Sequence, residues 1–196
     1  MVLKRGFLAE ANKYALEFRN ELQVAPHDPL CPWQLAAHLE IPVIAISKLK
    51  MLEEKHHIFF QKSKCPVSAA ALPINGMGRG IVYNDHHPKN RQSSSIAHEI
   101  SHIVLRHDTA QIMHADGTRN FDSALEEEAS NLGGILQVPD KAALYILSEN
   151  IPIPKACDDY KVSPQLMEWR LNKSGARRIV AQRSRKVQLV NFPSNN

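Results

Sequence analysis

At 196 residues, 43% of them hydrophobic, the chain is long enough to bury its own apolar core, and a single domain spanning residues 1–196 is expected. Its three cysteines, Cys31, Cys65 and Cys157, are odd in number and lack C-x-x-C spacing, which argues against a disulfide framework or a cysteine zinc site and suits a reducing compartment. The net charge of +4 is modest, no run approaches the roughly 18 apolar residues of a membrane span, and Met1 to Phe7 lacks a signal-peptide core, so a cytoplasmic protein without membrane contact is expected.

From Leu8 to Leu22, the residues Leu8, Ala11, Ala15, Phe18 and Leu22 recur at helical intervals while Glu10, Lys13, Glu17 and Arg19 fall elsewhere, which predicts an amphipathic helix with those charges on its surface. Pro26, Asp28, Pro29 and Pro32 end it, and Trp33 to Leu39 reads as a second, shorter helix. Val43 to Ile46, after Pro42, has the composition of a short buried strand. Lys48 to His57 is polar and predicts a helical turn or two, with His56 and His57 at its end as surface residues.

Val67 to Ile74 and Gly80 to Asn84 flank Asn75-Gly76, the strongest short-range signal for a β-hairpin. If Ile81-Val82-Tyr83-Asn84 is an edge strand, its free backbone groups can pair with an extended peptide, and Tyr83 and Asn84 become candidate substrate-binding residues. The loop Asp85 to Arg91 then leads into Gln92 to Leu105, which carries His98-Glu99-Ile100-Ser101-His102. On a helix, His98 and His102 leave one face a turn apart and can share a metal ion, while Glu99 beside them is placed as general base. Ten histidines scattered at random would give about 0.03 such matches in this chain, so the spelling alone is only suggestive. Ile96, Ala97, Ile100, Ile103 and Val104 add a wide apolar surface that buries the helix, and a buried imidazole or carboxylate without a partner is costly. A metal site therefore outweighs histidines that merely satisfy neighbouring carbonyls.

Arg106 to Asn120 is polar, contains Gly117, and predicts a loop beside the site in which His107 and His114 are mobile surface histidines rather than oxyanion donors. Phe121 to Leu132 begins a further helix, capped by Asp122 or Ser123. Leu125, Ala129, Leu132 and Leu136 form its buried stripe; Glu126 and Glu128 border that stripe and Glu127 points away. Glu126 and Glu128 thus stand as alternative third metal ligands.

Asp140 to Glu149, Lys155 to Tyr160 and Ser163 to Lys173 read as three short helices, with Ser163 as the cap of the last and Pro164 at its first position. Residues 151–196 form a helical subregion after the 1–150 part that holds the sheet and the site. Its helix, turn and Ser-capped helix carrying Arg170 and Lys173 resemble a helix-turn-helix, but base-reading side chains do not gather at the start of that helix. A brace for the core is the preferred reading, with direct nucleic-acid binding through these helices as the alternative. The basic run Lys173, Arg177, Arg178, Arg183, Arg185 and Lys186 reads as a solvated helix face. The fold class expected is α+β, mainly helical, with a small β-sheet beside the H-E-x-x-H helix and a C-terminal bundle of short helices.

The pattern resembles the ImmA/IrrE family of zinc metallo-endopeptidases over nearly the whole chain. The likeness runs through Ile81 to Asn84, Arg91-Gln92, Ala97 to Ile103, the stretch Glu126-Glu127-Glu128-Ala129-Ser130-Asn131-Leu132-Gly133-Gly134-Ile135-Leu136-Gln137-Val138-Pro139, and Val162 to Leu171. The resemblance implies that Glu126 is the metal-binding acid, that Zn²⁺ is the cofactor, and that the partner is a protein substrate, a repressor-type transcription regulator. Mn²⁺ is a second ion that these ligand types accept. Ser130 stands where the family has Asn or Asp to hold a ligand histidine, Leu132 replaces an aromatic, and Gly133-Gly134 replaces helix formers at about 1 kcal/mol per glycine, which predicts a looser helix. The alternative function is a non-catalytic regulatory DNA- or protein-binding module with a retained or structural metal site.

Overall fold

A computed structural model of the chain describes residues 3–50, 53–62, 65–74, 78–107 and 122–191, with side chains through Arg185. Helix α1 (Phe7–Glu21) starts at Gly6, whose φ of 88° lies in the left-handed region, and α2 (Pro32–His38) starts on its own proline, where the missing N–H costs nothing. The apolar face of α1 is displaced from the expected one. Phe7, Ala11 and Ala15 are buried with Arg19, whereas Leu8 is exposed.

Arg19, expected on the surface, is 1% exposed because its guanidinium has carbonyls to bind. It donates to Asp28 O, Ala15 O and Gln137 O, closing α1 onto a loop and a distant helix end.

Strand β1 (Val43–Ala45) is followed by a 3₁₀ turn (Ile46–Lys48) and α3 (Glu54–Gln61), which lies further along than expected and buries none of its residues. His56 and His57 therefore sit inside α3 rather than at its end. The hairpin forms as β2 (Ala69–Ile74) and β3 (Gly78–Tyr83), antiparallel with Ala71 opposite Ile81; its tip, with Asn75 and Gly76, lies outside the described residues. β1 pairs parallel with β3, giving the order β1-β3-β2. The edge-strand expectation for Ile81 to Asn84 fails here, because β1 arrives from far upstream and covers the second side of β3. The strand with an outer edge beside the central helix is β2.

Helix α4 (Lys89–Val104) packs across the sheet and against α5 (Ser123–Gln137). Arg91 ties the start of α4 to the chain before β2, donating to Ser68 Oγ and Cys65 O, and Gln92 donates to the carbonyls of Asp85 and His87. Asp122 caps α5 by accepting from Ala124 N and Leu125 N. Phe7, Ala15, Leu35, Ile81, Ile96, Ile100, Leu132 and Ile135 form one apolar core that joins α1, α2, the sheet, α4 and α5.

A second core, including Ala142, Ile146, Ala156, Met167 and Leu171, gathers α6 (Asp140–Ser148), α7 (Ile153–Tyr160), α8 (Pro164–Lys173) and α9 (Ala176–Asn191). Ser163 Oγ caps α8 by accepting from Leu166 N. Arg170 is 1% exposed and clasps the corner between α5 and α6, donating to Val138 O and to Asp140 Oδ1, so its guanidinium is spent inside the fold. The expected solvated basic face is present on α9, where Arg177, Arg178, Arg183 and Arg185 are exposed. The described architecture is the expected α+β class, mainly helical with a small sheet and a bundle of helices at the C-terminal end.

The two glycines of α5 sit at close contacts. A Cβ on Gly133 would stand 3.2 Å from both Cα and N of His98, and one on Gly134 would stand 2.6 Å from the Trp169 ring. Their lack of a side chain lets α5 approach α4 at His98 and lets α8 seat its tryptophan.

Candidate metal centre

Helix α4 presents His98 and His102 toward α5 while Ile96 and Ile100 are fully buried in the core, so the register of the apolar stripe fixes where the imidazoles point. Helix α5 answers with Glu126 in its first turn, where a carboxylate is favoured by the helix dipole. His98 Nε2 lies 3.0 Å from His102 Nε2 and 3.1 Å from Glu126 Oε2, and His102 Nε2 lies 3.6 Å from Glu126 Oε1. A tetrahedral ion with ligands at about 2.0 to 2.1 Å separates those ligands by about 3.3 Å. The two imidazole nitrogens and the two carboxylate oxygens, one facing each ring, therefore stand near the spacing such an ion demands, and one donor atom from each residue lies within 4.8 Å of the others. They also fit its chemistry, since two imidazole lone pairs and a carboxylate converge on one point and each suits a divalent cation.

Glu99 is 5% exposed, and its Oε2 accepts from the backbone N–H of Ala71 at 2.9 Å. The strand register explains why that N–H is available. Ile81 N donates to Pro42 O, away from β2, so the opposed pair Ala71 and Ile81 exchange no hydrogen bonds and Ala71 N–H faces outward from the sheet. Pro73 shares that outward orientation on β2, where a missing N–H breaks no ladder bond. The edge of the sheet and the acid of the H-E-x-x-H segment are thus held together directly.

The surroundings of the two histidines differ. Ser130 Oγ stands 3.5 Å from His98 Nδ1, at the outer limit of a hydrogen bond. His102, fully buried, has its Nδ1 2.9 Å from Nδ1 of His107, and His107 Nε2 is 3.2 Å from Glu128 Oε2. His107 was expected as a mobile surface residue and is instead 5% exposed. Arg106, with φ of 55°, turns the chain back at the end of α4, and His107 N then bonds to His102 O. Burial holds the His107 pKa below the ordinary histidine range in spite of the neighbouring Glu128 carboxylate, which keeps the ring neutral near pH 7. The sequence signals for His107 were its place just past His102 and a second acid, Glu128, two positions beyond Glu126, which periodicity had left as an alternative metal ligand.

Of the two acids left open by periodicity, the geometry brings Glu126 to the histidine pair and sends Glu128 to His107. Asn84 is 1% exposed, donates to Phe60 O and Val67 O, and accepts from His86 N, so its amide organises the loop before α4 and does not face a peptide. Tyr83 stands edge-on to Trp33 with ring centroids 5.8 Å apart, on the central strand. His114 lies outside the described residues.

Among the described residues, no helix is long and apolar enough to cross a membrane. Comparison with curated proteins and with solved structures gives no match. A family model described as the IrrE N-terminal-like domain, Peptidase M78, matches residues 36–172, which take in β1, the hairpin, α4, α5 and the helices through most of α8. With that match over most of its length, the chain belongs to the ImmA/IrrE family of metal-dependent peptidases.

Proposed function

We propose that the protein is a zinc-dependent endopeptidase in which His98, His102 and Glu126 hold the ion and Glu99 is the general base. The observation that carries this reading is the convergence of those three donor atoms within 4.8 Å of one another, one residue from an acid already fixed by the sheet edge. Zinc held there supplies an acidified water and a Lewis acid for the peptide carbonyl. Glu99 accepts the proton from the attacking water and later returns it to the leaving amine. The Ala71 N–H, donating to Oε2, fixes the orientation of the Glu99 carboxylate in its buried position.

The substrate enters extended along the outer edge of β2, where the backbone groups of Ala69 and the carbonyls of Ala71 and Pro73 face away from β3. This edge takes over the part expected of Tyr83 and Asn84. A repressor-type transcription regulator is the proposed substrate class, supported by family membership alone.

The test is incubation of the zinc-loaded protein with candidate regulators, alongside Glu99→Gln. The proposal expects defined fragments from the parent, none from the variant, and equal zinc content in both. Cleavage by the variant at the parental rate overturns the mechanism. Regulator binding unchanged by Glu99→Gln, with no fragments from either protein, favours the binding-module alternative.

A further inference from the structure

Two contacts lead from the candidate ligand His102 outward in a continuous line. Glu128 Oε2 is 3.2 Å from His107 Nε2, His107 Nδ1 is 2.9 Å from His102 Nδ1, and His102 Nε2 is one of the three convergent donors. We propose that Glu128 and His107 form a carboxylate–imidazole relay that fixes the tautomer and ring orientation of His102 and so sets the affinity of the site for its metal; this rests on the metal-centre reading above.

The proton inventory admits one assignment. For His102 to offer a lone pair at Nε2, its proton must sit on Nδ1. That N–H points at His107 Nδ1, which must then be an acceptor, so the His107 proton sits on Nε2. There it meets the Glu128 carboxylate, which only accepts. Each contact has one donor and one acceptor, both rings are neutral, and the chain ends on a charge that strengthens the donor character of His102 through the ring between them. The reverse tautomer would set two N–H groups against each other at 2.9 Å or leave a lone pair facing the carboxylate.

The placement has a structural cause. The left-handed Arg106 folds His107 under α4, and Glu128 lies two positions beyond Glu126 on α5, so one helix supplies both a metal ligand and the anchor of the other ligand's support. Glu128 and His107 are positioning residues, since neither is among the convergent donors.

The experiment measures zinc affinity by chelator competition for the parent, His107→Ala, Glu128→Ala and Glu128→Gln, with the visible spectrum of the cobalt-substituted proteins as a readout of ligand geometry. The relay predicts a loss of affinity of about 10- to 100-fold for His107→Ala and Glu128→Ala, an altered cobalt spectrum, and partial recovery in Glu128→Gln, whose amide oxygen still accepts from His107. Folded alanine variants that bind zinc within about twofold of the parent, a change far below that range, overturn it. Should His107→Ala fail to fold, the imidazole ¹⁵N–¹H spectrum of the zinc-loaded parent decides: protons on His102 Nδ1 and His107 Nε2 support the relay, and any other placement ends it. A control separates the two readings. If His98→Ala also leaves zinc affinity unchanged, the metal centre itself has failed; if His98→Ala loses zinc while the relay variants keep it, the relay alone has failed.

Discussion

His98 and His102 leave the same face of α4, one turn apart, yet they belong to different halves of the site. The His102 side chain is 1% exposed and backed by His107 and Glu128, whereas the His98 side chain is 23% exposed and, among the described residues, has Ser130 at the hydrogen-bond limit behind it. On the proposed reading the inner half holds the ion in one geometry and the outer half is the more open to solvent. The H-E-x-x-H helix then carries two histidines that are equal in sequence and unequal in support, and the inequality is set by what the neighbouring chain places behind each ring.

Removing each ligand in turn breaks the comparison most sharply. Both His98→Ala and His102→Ala should lower zinc affinity by more than the roughly 100-fold that supporting residues control. The metal-free proteins should differ. His102→Ala leaves Nδ1 of the buried His107 without its partner, at about 1 to 3 kcal/mol, so its Tm without metal should fall by several degrees. His98→Ala removes a partly exposed ring and should leave that Tm close to the parent's. Equal melting points in differential scanning calorimetry would show that the inner half is no more integrated than the outer.

Glu99→Gln tests a group that spans both halves, because its carboxylate is buried and yet, on the proposed mechanism, serves the reacting water. Peptide cleavage should drop by about 10² to 10⁴, the range for loss of a positioned general base, with zinc content unchanged. Loss of zinc together with activity would instead make Glu99 part of the holding machinery.

Gly133→Ala acts on the contact that sets the distance between α4 and α5. The added Cβ would press on the backbone of His98, which cannot yield as a side-chain tip can. Overpacking of about 1 to 3 kcal/mol is set against about 1 kcal/mol of improved helix propensity, so a net fall in Tm of a few degrees is expected, with weaker zinc binding through displacement of His98. A Tm that rises shows that α5 can back away and that the ligand spacing does not depend on this glycine.

The parts of this arrangement legible in the sequence are those governed by local periodicity. His98 and His102 stand a turn apart because helices have 3.6 residues per turn, and the border positions of Glu126 and Glu128 follow from the stripe Leu125, Ala129, Leu132 and Leu136. What decided between the two acids was a residue outside any periodic segment. His107 follows a left-handed Arg106, and no apolar pattern announces that the chain doubles back there. The hairpin was likewise readable from Asn75-Gly76, but which strand faced outward depended on β1, a three-residue strand whose pairing is non-local. Arg19 looked like a surface charge because composition does not disclose that backbone carbonyls, that of Gln137 at a helix end among them, surround it.

The smallest effect sharpens the comparison from its weak side. Ser130 reaches His98 Nδ1 only at 3.5 Å, so Ser130→Ala removes little and should change zinc affinity by less than about tenfold, below the range expected of His107→Ala. Ser130→Asn should act in the opposite direction. Its longer side chain carries an amide oxygen that can accept from His98 Nδ1–H at a shorter distance, which predicts a modest gain in affinity and no change in the ¹⁵N shifts of His102. If Ser130→Ala weakens zinc binding as much as Glu128→Ala does, the two imidazoles are supported equally, and the difference in their burial has no bearing on how the ion is held.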